Sequence, residues 1–314
     1  MDKAYADTVR LLLTAAPDVF ANDIFAMKGG TAINLFVRDM PRLSVDIDVV
    51  YTPWQTPREQ ALKAISDELD AIAGRLGRLG LTTRKVNSKD LGDTKLLIEN
   101  AEAQVKVEVN VVFRGTVLPT ERHPLSSKTA DLFSVALELP ILAPAELYGS
   151  KLVAAMDRQH PRDLFDVLQM FESGGLSDAV VECFVIYLAG HNRPTHEVLF
   201  GNEKDIAHEY YQHFVGMTAE PVSLDVLLQT RARLREELPQ RMTTKQKQFL
   251  IGLALVQPDW TLLQCPHTSE LPALRWKLGN LQTFSQRRPA DFEKQAATLD
   301  ALLSGTKPSP QTLR

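Results

Sequence analysis

Hydrophobic positions along the first half of the chain switch between two periods. Residues 5–16 place Val9, Leu12, Leu13 and Ala16 at helical spacing, and residues 58–79 do the same through Leu62, Ile65, Leu69, Ile72 and Leu76. Between them a short apolar run, 24–27, stops at Lys28-Gly29-Gly30, after which 31–36 resumes as a helix. The order there is strand, glycine turn, helix start. A two-residue period marks 44–51 and 105–113. In the first, Val45, Ile47 and Val49 share one face while Ser44, Asp46 and Asp48 share the other. In the second, Val105, Val107, Val109 and Val111 oppose Lys106, Glu108 and Asn110. Residues 81–87, 95–99 and 134–142 are expected to add further strands.

At Ala143-Pro144 the pattern becomes helical. Pro144 suits the first turn of a helix that continues through 146–156. Pro161 opens a second, with Leu164, Val167, Leu168 and Phe171 on its apolar face and Gly174-Gly175 at its end. Helices are expected over 178–188, 223–237, 244–255 and 289–303. The expectation is an α+β chain, with a mixed-sheet α/β domain over 1–142, an all-helical domain over 143–303 and a disordered Pro/Ser/Thr-rich tail over 304–314. No internal repeat is visible.

Composition narrows the function classes. A length of 314 residues suits two domains, and 44% hydrophobic with 24% charged residues is ordinary for a globular protein. The net charge of -4 gives no global attraction for nucleic acid, so such a surface must come from local clustering. Cys183 and Cys265 match neither a metal spacing nor a disulfide framework, which makes a reducing cytoplasm the expected location. Met1-Asp2-Lys3-Ala4 lacks the layout of a secretion signal. No apolar run approaches the roughly 20 residues needed to cross a bilayer, so no membrane partner is expected.

The candidate chemistry lies in five clusters. Gly29-Gly30 at a helix start lets backbone N–H groups approach phosphate oxygens. Alone, such a pair is more often a plain tight turn; the carboxylates downstream favour phosphate. It is neither a P-loop nor a dinucleotide fingerprint. Asp46 and Asp48, on one face of a strand, offer hard oxygen ligands that suit Mg²⁺, which takes one or two carboxylates and completes its shell with phosphate and water. Glu108 becomes a third carboxylate if its strand lies beside theirs, and is otherwise a solvated residue. Lys151, Arg158 and Arg162 supply local positive charge for a triphosphate. Asp163, in a helix first turn, suits the helix dipole. Asp166 is four residues from Arg162, close enough to pair with it, and points away from the apolar face towards a possible cleft. The last cluster, Arg231, Arg233, Arg235, Arg241, Lys245 and Lys247, is a solvated face or a surface for RNA phosphates.

Five segments in order carry a family resemblance: Lys28-Gly29-Gly30-Thr31-Ala32, Arg42-Leu43-Ser44-Val45-Asp46-Ile47-Asp48, Lys106-Val107-Glu108-Val109-Asn110, Leu147-Tyr148-Gly149-Ser150-Lys151 and Arg162-Asp163-Leu164-Phe165-Asp166. Together with Trp276-Lys277 and Asn280-Leu281, they resemble the AbiEii/MenT nucleotidyltransferase toxins of toxin–antitoxin and phage-defence systems. The resemblance spans about residues 20–285. It implies a polymerase-β-type nucleotidyltransferase core, one or two Mg²⁺ ions, a nucleoside triphosphate as substrate, and transfer to RNA, with the tRNA 3′ end as the leading acceptor. Translation and growth would then stop. It implies Asp46, Asp48, Lys151 and Asp166 as catalytic residues, with Asp46, Asp48 and Glu108 at the metal. Gly29, Gly30, Thr31, Ser44, Arg158 and Arg162 would bind the nucleotide. The partner expected is an antitoxin, either a transcriptional regulator or a kinase-like protein. Ser44, on the carboxylate face, is a candidate for phosphorylation, since a phosphate adds about −1.5 to −2 charges where the triphosphate would lie. The alternatives are a metal-dependent glycosyltransferase using Asp-x-Asp and a non-catalytic binding or antitoxin module.

Overall fold

The computed structural model describes residues 3–87 and 93–305. Two compact units make up the chain. The first is Met1–Leu147 with Gly216–Glu220, and the second is Tyr148–Val215 with Pro221–Arg314. The expected division at 142–143 falls five residues before the first of these boundaries, at the turn into a helix that continues from one unit into the next.

The first unit is built on one seven-stranded sheet. Its strands are β1 (Phe25–Lys28), β2 (Ile47–Tyr51), β3 (Thr82–Asn87), β4 (Asp93–Glu99), β5 (Gln104–Asn110), β6 (Glu121–Pro124) and β7 (Glu138–Ile141), in the order β3-β4-β5-β2-β1-β7-β6. β1 and β2 are antiparallel, whereas β2–β5 and β1–β7 are parallel, so the sheet is mixed as expected. Helices α1 (Lys3–Val19), α2 (Gly29–Ala32, running on as a π-turn over Ile33–Val37), α3 (Arg58–Arg78) and α4 (Ser127–Phe133) complete the unit. The periodic residues do become core: Val9, Leu12, Leu13 and Ala16 of α1, Ile65, Leu69, Ile72 and Leu76 of α3, and Val105, Val107 and Val109 of β5 are all buried.

Three strands are shorter than their patterns predict. The one expected over 105–113 ends at Asn110, whose Oδ1 accepts from the N–H groups of Val112 and Phe113. The strand expected from Ser44 begins only at Ile47, which leaves Ser44 and Asp46 outside it. Backbone groups of the preceding segment are satisfied elsewhere. Leu43 N–H donates to the Met217 carbonyl at 2.7 Å, Arg42 bridges Thr218, and Ser44 N–H donates to the Tyr5 hydroxyl at 3.2 Å. The strand expected over 134–142 covers only Glu138–Ile141, because Ser134 adopts φ 53° and caps α4 instead. β6 carries no two-residue period: Glu121-Arg122-His123-Pro124 is an edge strand, where proline is tolerated.

The second unit is helical. α5 (Pro144–Asp157) enters it from the first unit. It is followed by α6 (Pro161–Glu172), α7 (Asp178–Ala189), α8 (Thr195–Phe200), α9 (Ala207–His213), α10 (Leu224–Arg241), α11 (Thr244–Ala254), α12 (Pro272–Arg287) and α13 (Pro289–Leu303). Ser177 and Ser223 cap α7 and α10, and Thr243 with Gln246 forms a capping box on α11. α7 is buried on every side from Val180 to Ala189 and forms the axis of this unit. Gly149 lets α5 approach it closely, since a β-carbon there would stand 2.5 Å from Cys183 Cβ and 2.8 Å from the Phe184 nitrogen. Cys183 and Cys265 are buried and neither is in a disulfide.

The basic stretch of α10 is solvated at Arg233 and Arg241, as expected of a charged face, but not at Arg231. Arg231 is buried and donates to Gln159 Oε1, the Lys204 carbonyl and Glu203. Arg233 lies over the Phe171 ring and pairs with Glu237, Arg235 donates to the Gly201 carbonyl, and Arg241 donates to the Leu176 carbonyl. Arg231, Arg235 and Arg241 tie α10 to its neighbours. No helix of the described residues is long and apolar enough to cross a membrane. Of the expected disordered tail, 306–314 lie outside the described residues, while Ser304 and Gly305 close α13.

Candidate active site

The chain leaves β1 at Lys28 and turns directly into α2. Gly29 makes the turn possible with φ 78°, a conformation that disfavours any β-carbon. Register across the sheet then lines up four charges. Lys28 of β1 stands opposite Asp48 of β2, Asp48 opposite Glu108 of β5, and Glu108 opposite Lys95 of β4. Directly opposed residues project from the same face of a sheet, so the row reads cation, anion, anion, cation.

Close packing surrounds that row. A β-carbon on Gly29 would collide with the Asp48 carboxylate, and one on Gly30 would lie 2.5 Å from Arg42 Nη2 and 3.0 Å from Ser44 Oγ. Thr31 Oγ1 and Ser44 Oγ share a hydrogen bond of 3.0 Å. Asn34 Nδ2 donates to the Gly30 carbonyl at 2.8 Å and steadies the turn from below. Burial pushes the Tyr5 phenol pKa up, against the opposing pull of the Ser44 N–H and the Arg42 charge, so its hydroxyl stays neutral. Gly29, Gly30, Thr31, Ser44 and Asp48 are therefore one constellation. The short motifs at 28–32 and 42–48 meet in space.

Glu108 does sit beside Asp48, but it is engaged. Lys95 Nζ lies 2.5 Å and Lys106 Nζ 3.1 Å from its carboxylate. Burial alone would raise its pKa; the hydrogen bonds from Lys95 and Lys106 outweigh that and hold it below the ordinary range. Lys106 also approaches Asp46 at 3.7 Å. Among the described residues no group of three or more His, Cys, Asp or Glu side chains is disposed to hold a metal. Asp46 and Asp48 nonetheless fit Mg²⁺: their donors are hard oxygens, and that ion needs only one or two carboxylates when phosphates complete its shell. Glu108 fits less well, because two ammonium groups already share its Oε1. Lys28 and Lys95 were not singled out from the sequence as site residues, since cross-strand register cannot be read from a single strand.

In the second unit the predicted residues also come together, in a different way from that expected. Lys151 of α5 lies 2.9 Å from Asp163 and 3.1 Å from Asp166, both on α6. Arg158 grips Asp163 through both carboxylate oxygens, at 3.1 and 2.9 Å. Asp166 is only 1% exposed and Lys151 8%. Asp166 is thus buried against Lys151, not open to a cleft or paired with Arg162, which lies on the exposed side of α6. Asp163 does more than meet a helix dipole, since it joins both cations.

The nucleotidyl transferase AbiEii toxin family, of the type IV toxin–antitoxin systems, matches residues 10–280. The chain belongs to the AbiEii nucleotidyltransferase toxin family. Its matched span takes in the glycine turn, the carboxylate row and the Lys151 ion pairs. In structure it is similar to MenT4, a nucleotidyltransferase toxin from Mycobacterium tuberculosis H37Rv, with a TM-score of 0.59 and 17% identity over 89% of this chain and 95% of that one. At that identity the likeness shows the fold, which is the α+β fold expected. No curated relative matches the sequence. The family is one of nucleotidyltransferase toxins of toxin–antitoxin systems, which implies a cognate antitoxin and sets aside the glycosyltransferase alternative.

Proposed function

We propose that this AbiEii-family toxin transfers a nucleoside monophosphate from a nucleoside triphosphate to the 3′ end of RNA, with tRNA as the leading acceptor. The observation that supports this most directly is the Lys28–Asp48–Glu108 row set against the Gly29-Gly30 turn. It puts a carboxylate in contact with a backbone cradle of the kind that binds phosphate.

Each residue has a task in this reading. The N–H groups of Gly29 and Gly30, with the hydroxyls of Thr31 and Ser44, bind and orient the triphosphate. Lys28 adds positive charge at the same turn. Asp46 and Asp48 would hold one or two Mg²⁺ ions, which would supply charge neutralisation at the phosphates and would favour ionisation of the attacking hydroxyl. Glu108 positions Lys95 and Lys106 and so keeps Asp46 and Asp48 from facing a purely acidic surface. Lys151 and Asp166 are assigned to the reaction by family resemblance, and Arg158 and Arg162 to the triphosphate by their local positive charge; the ion pairs within their own unit support an oriented lysine.

Transfer to the acceptor end of tRNA would arrest translation, and the antitoxin, a transcriptional regulator or a kinase-like protein, would restrain it. Ser44 Oγ lies beside Gly30 and Thr31, so a phosphate there would compete with the substrate triphosphate. Full activity in Ser44→Glu would count against this control.

The decisive experiment incubates the protein with total RNA, Mg²⁺ and each labelled nucleoside triphosphate in turn, beside an Asp48→Asn variant. Label at an RNA 3′ end in the wild type and none in the variant is the expected result. Label on protein alone, or equal labelling by Asp48→Asn, would overturn the reading.

A further inference from the structure

The helical unit holds a small cavity lined by none of the residues assigned above to nucleotidyl transfer. Its polar lining is Thr195 and His196 of α8, Lys277 of α12 and Gln295 of α13, set among aliphatic side chains that include Leu253 and Leu299. It is small, with space for a single water molecule or monatomic ion.

Lys277 is the unusual member. It is only 6% exposed, and its Nζ donates to two neutral acceptors, the carbonyls of Arg193 at 2.8 Å and Asn192 at 3.4 Å. Among the described residues no carboxylate lies within ion-pair distance of it; Glu197 acts on it only from farther off. A buried charge is ordinarily paired, because removing it from water without a counter-charge is expensive. Burial accordingly pushes the Lys277 pKa down to about 8, which still leaves the group mainly cationic at neutral pH. An ammonium has three donors, and the two carbonyls use two of them.

His196 adds a second anomaly. Its Nδ1 is buried and has no hydrogen-bond partner among the described residues. Burial lowers the pKa of this ring, so it is neutral near pH 7 and can carry its proton on Nδ1. Thr195 and Gln295 can also donate, and no acidic side chain lines the space. Every polar group around the cavity can therefore present a proton to its occupant. A water molecule would accept such bonds but would leave the charge on Lys277 uncompensated.

We infer that the Thr195–Lys277 cavity binds a small monovalent anion of about chloride's size, which serves as the missing counter-ion of Lys277. The site is independent of the nucleotidyl-transfer reading, and its test needs no activity measurement.

Crystals of the full chain grown in bromide provide the direct test. An anomalous bromide peak within hydrogen-bonding distance of Lys277 Nζ is expected, and absence of that peak would overturn the inference. In solution, melting of the wild type is compared in sodium chloride and sodium gluconate at equal ionic strength. Chloride should raise Tm by about 2–4 °C. The difference should vanish in Lys277→Met, or in Thr195→Val should the first variant not fold. Equal wild-type Tm values in the two salts would also overturn it.

Discussion

The carboxylate of Asp48 occupies the space that a β-carbon on Gly29 would need. One residue ends a glycine turn and the other sits on a neighbouring strand, so a single methyl group ties backbone conformation to the position of a candidate metal ligand.

Gly29→Ala should therefore fail twice. The φ of 78° strains an alanine by about 1–2 kcal/mol. The collision also displaces Asp48, and an ångström-scale displacement can lower turnover about 10²-fold. Single-turnover transfer from a labelled nucleoside triphosphate, measured beside a melting curve, separates the two effects. Wild-type turnover would show that Asp48 need not stay where it is.

Glu108→Gln tests the cation bridge. A carboxylate whose folded pKa is depressed contributes stability that is fully present above the unfolded value, near 4.5, and is lost as pH falls through the lower folded value. The wild type should be more stable than Glu108→Gln at neutral pH, and the gap should close as pH drops below about 4.5. Tm values across that range provide the check. A gap that persists at low pH would mean the Lys95 and Lys106 contacts act through packing and not charge.

Lys151→Met should unfold more easily before it says anything about catalysis. Removing it strips Asp163 and Asp166 of a buried cation, a change that typically destabilises by about 3–5 kcal/mol. Adding Asp166→Asn should return part of that loss. Urea midpoints for the single and double variants decide it, and activity lost by Lys151→Met is interpretable only at temperatures where the variant is folded.

Arg231→Met separates structure from RNA binding. The arginine's partners, Gln159, Glu203 and the Lys204 carbonyl, lose hydrogen bonds to a charged group, with an expected destabilisation of about 1.5–3 kcal/mol. The slope of log affinity for RNA against log salt should not change. A slope smaller by about one unit would instead make Arg231 a phosphate contact.

Much of this architecture was legible in the chain itself. The amphipathic periods of α1 and α3 and the valine alternation of β5 are local patterns, and burial follows from them directly. First-turn prolines and capping residues set helix starts, as at Pro161 and Thr243. β6 and α4 escaped notice because neither carries a sustained period. The late start of the Asp48 strand is not visible either, since it depends on Tyr5 and Met217, which are remote in sequence.

The same division runs through the candidate site. The sequence by itself determined which residues carry chemistry: adjacent glycines before a helix, carboxylates two apart, and a lysine followed by an Arg-Asp helix start. These depend on backbone periodicity, which every residue reports locally. Only the tertiary structure decided their company. Strand register set Asp48 between Lys28 and Glu108, two lysines claimed Glu108, and burial turned Asp166 towards Lys151. Register and burial are properties of which segments meet, and a charged side chain takes its role from the partner it meets there.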